Sequence, residues 1–154
     1  EILEELKKVA FSDVSGLMEW SDDAVTVKDS KRSLAYYGDV LGGKIVMENG
    51  PSGYVKLANT WVIVNEGGGP TEDKPDVTLV PPSDPEHASS FMNIRVADIE
   101  AKYKEWESKG AEFLTPPMDR GMETRCYMRD PDEYLIEVGE ATGMLNLFEG
   151  DSGN

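Results

Sequence analysis

The chain has 154 residues, enough for one domain or two half-domains around a common core, so burial can stabilise it without a disulfide framework. Thirty Asp and Glu against 15 Lys and Arg leave a formal charge of −15, which repels nucleic-acid phosphates and anionic lipid alike, and no stretch approaches the roughly 20 apolar residues of a membrane span. Nucleic-acid and membrane partners are therefore not expected, and the single cysteine, Cys126, fits a reducing cytoplasm.

In chain order, residues 1–20 begin with Ile2, Leu6 and Val9 on one helical face, which predicts an additional helix over 1–10 packing on the outside of the domain. The stretch VTVKDSKRSLAYYGDVLGGKIV, residues 25–46, then reads as a short alternating strand ending in Val-x-Asp, an amphipathic helix, glycine and another strand. Asp29, with Ser30 beside it, suits a helix N-cap, because its carboxylate can accept from the unpaired amides of the first turn. Leu34, Tyr37 and Leu41 form one apolar stripe, and Gly42 ends the helix. Strands follow at 44–48, 53–58 and 60–66, separated by Asn-Gly-Pro-Ser-Gly and by Asn59, so that 21–66 makes one module.

Residues 67–90 are rich in Pro, Gly and Asp and read as a linker, with 77–80 as an extra edge strand. Its Gly-Gly-Gly-Pro lacks the Lys-Ser/Thr and the strand-to-helix setting of a phosphate loop. A second module, 91–141, repeats the first: aligning Asp98 with Asp29 puts Tyr103 on Leu34 and Trp106 on Tyr37. The closing glycines, Gly110 and Gly42, then differ by one residue. Strands at 112–114, 124–129 and 134–139 follow, with Asp130-Pro-Asp-Glu133 as a tight turn. The tail, 142–154, has one apolar cluster from Met144 to Phe148 and an acidic, glycine-containing end. The plan is βαβββ, twice.

Glu137 interrupts the apolar run from Tyr134 to Val138, and a carboxylate buried in a sheet needs a metal, a cationic partner or a proton. Strand alternation groups Asp22, Ala24 and Thr26, then Phe91, Asn93 and Arg95, then Glu123, Arg125 and Tyr127. Facing inward, these would give the mixed polar and apolar lining of a small-molecule pocket, with Arg95 or Arg125 keeping Glu137 ionised without metal. Glu123 and Arg129 read as solvent-facing. Phe91 and Trp61 suit stacking on a planar ligand or plain core, Tyr36, Tyr37 and Trp106 suit packing, and Cys126 reads as an inert, half-buried thiol.

The duplicated plan, with VKDSKRSLAYYGDVLGG in its first half and RVADI and RDPDEYLIEV in its second, resembles the vicinal-oxygen-chelate superfamily over about 21–141. That group includes glyoxalase I, extradiol dioxygenases, and bleomycin- and fosfomycin-resistance proteins. The resemblance implies an α+β fold in which the four strands of each module curl into a half-barrel. It also implies, for metal enzymes, one ligand on the first and one on the last strand of each module. Glu137 falls on the last-strand ligand position of the second module. The corresponding first-strand positions are Asp22 and Phe91, usually His or Gln and His, and the remaining one lies near Ile63 or Asn65. Two oxygen ligands without an imidazole make a poor site for zinc, nickel or iron. The chain's only histidine, His87, has the strand parity of Phe91 but reads as a solvated loop residue; swung inward, it would complete a three-ligand set with Asp22 and Glu137. Glu133 stands where the family turn has glycine.

The expectation is a cytoplasmic, glyoxalase/bleomycin resistance/dioxygenase-like homodimer that binds a small organic molecule through Asp22, Thr26, Phe91, Asn93, Arg95, Arg125 and Tyr127, with no cofactor. The alternative is a divalent-metal lyase, isomerase or dioxygenase using Glu137, Asp22 and His87. A metal-free enzyme with Glu137 as general base stands as a third reading.

Overall fold

The computed structural model of the chain describes residues 21–58 and 60–141, with side chains over 23–58 and 60–140. The helix expected over 1–10 and the tail cluster at 144–148 lie outside the described residues. In chain order the elements are β1 (Ser21–Thr26), α1 (Ser30–Ala35) running on into a π-helical turn (Tyr36–Val40), β2 (Lys44–Asn49), β3 (Ser52–Leu57) and β4 (Thr60–Asn65). After the linker come β5 (Met92–Val96), α2 (Ile99–Ser108), β6 (Glu112–Phe113), β7 (Met118–Asp119), β8 (Glu123–Arg129) and β9 (Leu135–Ala141).

Each half forms its own mixed sheet, with strand order β1-β4-β3-β2 in the first and β5-β9-β8-β6 in the second. In both, the first strand runs parallel to the last and the rest pair antiparallel, so the repeat read in the sequence is a repeat of topology. The short β7, on the β8 edge, has no counterpart in the expected strand set.

Local chemistry explains the elements. The Asp29 carboxylate accepts from the Arg32 amide (3.0 Å) and the Asp98 carboxylate from the Ala101 amide (2.9 Å), so both helices start where a cap stops the preceding strand. Gly42 and Gly110 close them at φ 75° and 99°, backbone that a side chain disfavours. Glu133 does carry a side chain at φ 74°, a local strain of about 1 kcal/mol. The Asp130 carboxylate holds that turn by accepting from the amides of Asp132 and Tyr134 (both 2.9 Å). The edge strand expected at 77–80 is absent. Val77 and Val80 are exposed, and Leu79 makes a lone bridge to Gly68, because Pro75, Pro81 and Pro82 remove the amides a ladder would use.

One core serves both sheets. Leu34 of α1 sits directly over Gly53, where even a Cβ would come within 2.7 Å of its methyl groups. Ile99 and Trp106 of α2 are buried together with Ile94, Cys126, Met128, Ile136 and Val138 of the second sheet. Tyr36 crosses from the first half to the second, its Oη 3.7 Å from the Met128 sulfur and 3.2 Å from the Arg129 carbonyl. The helix-covered faces of the two sheets therefore meet, and their other faces look outward. Cys126 lies fully inside this core rather than half-buried, and burial pushes its thiol up to about 11, which keeps it unreactive.

The seam between the halves is the β8–β9 turn. Asp132, buried, accepts from the Lys28 amide (3.1 Å), Arg32 Nη2 (2.8 Å) and Ser33 Oγ (3.2 Å). Asp130 accepts from Tyr37 Oη (2.8 Å), and Tyr134 Oη accepts from the Thr26 amide (3.0 Å). Two of these bonds saturate the Thr26 amide on the free edge of β1, which pairs only with β4, and the Lys28 amide just past its end. Asp132→Ala should lower stability by about 3 kcal/mol, since three donors lose a buried acceptor. Arg32→Ala, at a half-exposed side chain, should cost about 1 kcal/mol. Urea denaturation monitored by circular dichroism checks both, and equal losses would contradict this division of the seam.

Candidate functional site

The outward face of the second sheet is set by register. Asn93 and Tyr127 flank Glu137, and Arg95 and Arg125 flank Gly139, across the three adjacent strands β5, β9 and β8. Alternation turns these side chains away from the core, yet Glu137 is only 4% exposed. Its charge is met by protein groups. Asn93 Nδ2 donates to Oε1 (2.8 Å) and Tyr127 Oη donates to Oε2 (2.5 Å), while Arg95 Nη2 stands 3.5 Å from Oε1 and Arg125 Nη1 stands 3.8 Å from Oε2. The bond to Glu137, followed by burial, raises the Tyr127 phenol above its ordinary value, so the proton stays on the tyrosine.

A second carboxylate closes the ring. Glu123 accepts from Arg95 Nη1 on one oxygen and from Arg125 Nη1 (2.9 Å) on the other, and these bonds, the Arg95 one foremost, hold its carboxyl below the usual range. Glu123 is thus a bridge between two guanidinium groups and not the solvent-facing residue the sequence suggested. The same bond raises Arg125 above its already high value. Gly139 makes the ring possible: a Cβ there would overlap the Arg95 guanidinium, 2.9 Å from Cζ and closer still to Nη1. Arg95 reaches Glu123 across β9 through the space this glycine leaves open.

Beside the ring lies an aromatic wall. The Arg125 guanidinium sits 5.8 Å from the centre of the Tyr127 ring, and Phe91 meets that ring edge-on at 5.8 Å and 80°. Phe91 is half exposed and open to a ligand, whereas Trp61 is buried, with no acceptor at its Nε1 among the described residues. Arg129 is engaged with Glu133 (3.7 Å) at its strand's end, away from the ring. Next to this face the linker forms a cavity of about 350 Å³, walled by Pro82, Pro85, His87, Tyr134 and Leu135 among others. Leu135 shares the outward face of β9 with Glu137. Reading 67–90 as a linker gave no sign of that cavity, whose walls come from loop conformation.

The remaining expected site residues do not join the ring. Thr26 belongs to the first sheet, nearly buried, with its amide on Tyr134. Asp22 pairs through its backbone with Trp61, and its side chain lies outside the described residues. His87 stays in its loop, Nδ1 2.7 Å from Asp84 Oδ2 and the side chain 81% exposed. Asn65 donates to Ser52 Oγ (3.1 Å) at the exposed end of β4.

The superfamily resemblance implies a divalent metal at Glu137, and the donor set does not fit one. Both oxygens of Glu137 are bonded to protein donors and two guanidinium charges stand where a cation would have to sit. Among the described residues no three His, Cys, Asp or Glu side chains converge to hold an ion. Nor, among them, is any helix long and apolar enough to cross a membrane.

Comparison with known proteins agrees with the topology. The chain is 22% identical over 122 residues to the metallothiol transferase FosB of Staphylococcus epidermidis, covering 76% of this chain and 78% of that protein. Among solved structures it resembles an integron cassette protein from the mobile metagenome of V. cholerae, with TM-score 0.61, 24% identity, and 79% of this chain and 93% of that one covered. It also resembles TioX from Micromonospora sp. ML1, with TM-score 0.63, 16% identity, and coverage of 78% and 96%. The family model described as Glyoxalase/Bleomycin resistance protein/Dioxygenase superfamily matches residues 22–138, and the chain belongs to that superfamily.

Proposed function

We propose that this protein binds a small organic molecule on the outward face of its second sheet, with Glu137 held by protein donors in the place where metal-dependent relatives hold an ion. The observation that carries this reading is the saturation of Glu137 by Asn93 and Tyr127 with Arg95 and Arg125 alongside. A carboxylate so partnered needs no metal to be buried, and the polar ring beside Phe91 and the linker cavity has the mixed character of a ligand site. Electrostatically the ring is balanced, two guanidinium groups against two carboxylates, so it orients a ligand more than it attracts one from a distance.

The homodimer belongs to the same reading. Because the two halves meet through their helix-covered faces, a single chain cannot fold its first sheet over its own Glu137. The exposed Phe91, Leu114, Met118 and Met122 of the second half support cover by a second copy.

Protein purified without chelator or affinity metal should carry no stoichiometric ion by elemental analysis. About one divalent ion per chain, lost in Glu137→Ala, would instead establish the metal-dependent lyase, isomerase or dioxygenase reading. Gly139→Ala should cost about 2 kcal/mol of stability, since the added methyl displaces Arg95 from Glu123. Glu123 carries a carboxyl lowered below its ordinary 4.5, so its stabilising contribution is present above that value and lost as pH falls through the lowered one. Glu123→Gln should therefore cost about 1 kcal/mol at pH 7 and flatten the acid limb of the stability curve below pH 4.5, measured by thermal melts across pH.

A further inference from the structure

We infer that the unused edge of Arg125 is the anchor for a carboxylate on an aromatic ligand; this rests on the binding face proposed above. The two arginines of the ring are not equivalent. Arg95 spends both terminal nitrogens, Nη1 on Glu123 and Nη2 toward Glu137. Arg125 meets both carboxylates through Nη1 alone, 2.9 Å from Glu123 and 3.8 Å from Glu137. Among the described residues nothing accepts from its Nη2 or Nε, and the side chain is 35% exposed. Those two nitrogens share one edge of the planar guanidinium, and their N–H groups form a side-on fork that matches the two oxygens of a carboxylate. Arg95, with only Nε left over, has no such fork.

The rest of the ligand follows from what stands beside the fork. Glu123 and Glu137 fix the Arg125 plane from the opposite edge, so the fork is pre-oriented and little side-chain freedom is lost on binding. The guanidinium lies by the Tyr127 ring, and the half-exposed Phe91, nearly perpendicular to that ring, extends the same wall. A flat aromatic group attached to the carboxylate would cover this wall, edge-to-face or offset, while its acid group meets the fork. The field of the chain's net charge of −15 is screened beyond about 8 Å in physiological salt, so the local geometry of the fork decides.

The test is titration of the full chain, isotope-labelled, with benzoate and with its neutral isostere benzamide, following the Phe91 and Tyr127 ring resonances and the Arg125 Nε–H by NMR. The wild type should bind benzoate at least ten-fold more tightly than benzamide, with the Arg125 Nε–H shifting. Arg125→Lys, which keeps the charge beside Glu123 but not the fork, should erase most of that preference, and Arg129→Gln, whose partner is Glu133 at the far end of the strand, should leave the preference in place. Equal binding of the two probes with the Tyr127 and Phe91 signals shifting, unaffected by Arg125→Lys, would overturn the carboxylate anchor and leave the binding face standing. Absence of any shift at Tyr127 or Phe91 with either probe at millimolar concentration would sink both.

Discussion

The buried carboxylate of Asp132 is the contact on which the arrangement of the two halves depends. It lies in a turn of the second half yet takes its hydrogen bonds from Lys28, Arg32 and Ser33 of the first, where β1 ends and α1 begins. A buried carboxyl with three fixed donors leaves no freedom to slip: displacing the turn by a residue would strand both the acid and its donors without water to replace them. Asp130, whose carboxyl burial raises, and Tyr134 extend the same clasp to Tyr37 and Thr26. With the helical faces clasped, the other face of each sheet is committed to the outside, and the Glu137 ring exists as a surface feature because of that.

The ring itself is a second solution to the problem of an acid in a sheet. Where the superfamily resemblance implies a metal ion, two guanidinium groups, an amide and a phenol balance the carboxylate here. The consequence is a difference in chemistry more than in shape. An ion draws lone pairs of a substrate into its coordination sphere, whereas guanidinium groups offer directed N–H donors and leave Glu137 as an acceptor already shared with Tyr127.

Much of this was legible in the sequence because it depends on period. Capping by Asp29, the stripe of Leu34 and Tyr37 and its match to Tyr103 and Trp106, and the common face of Asn93 with Arg95 and of Arg125 with Tyr127 follow from spacings of 3.6 and 2, although the sequence reading turned those faces inward. What stayed hidden depends on contact across strands. Glu123 had the correct parity, but only the register of β8 on β9 brings it between two arginines. Gly139 carries no side chain to betray that Arg95 passes over it. The 77–80 segment looked like a strand by composition, while prolines on either side denied it a partner. His87 shared a parity with Phe91 that means nothing outside a strand.

The π-helical turn at Tyr36–Val40 accommodates a one-residue difference between the two copies. Gly42 lies 13 positions after Asp29, and Gly110 lies 12 positions after Asp98. A one-residue insertion into an α-helix would rotate everything after it by about 100° and swing the stripe off the core. Here the surplus residue is swallowed by a wider turn, marked by the bond from the Leu41 amide to the Tyr36 carbonyl (3.1 Å), so that the exit into β2 is preserved. Tyr36 and Tyr37, where this turn begins, are both buried, rings 5.4 Å apart and nearly perpendicular, and both reach the other half. The wider turn thus carries both tyrosines by which the first half holds the second.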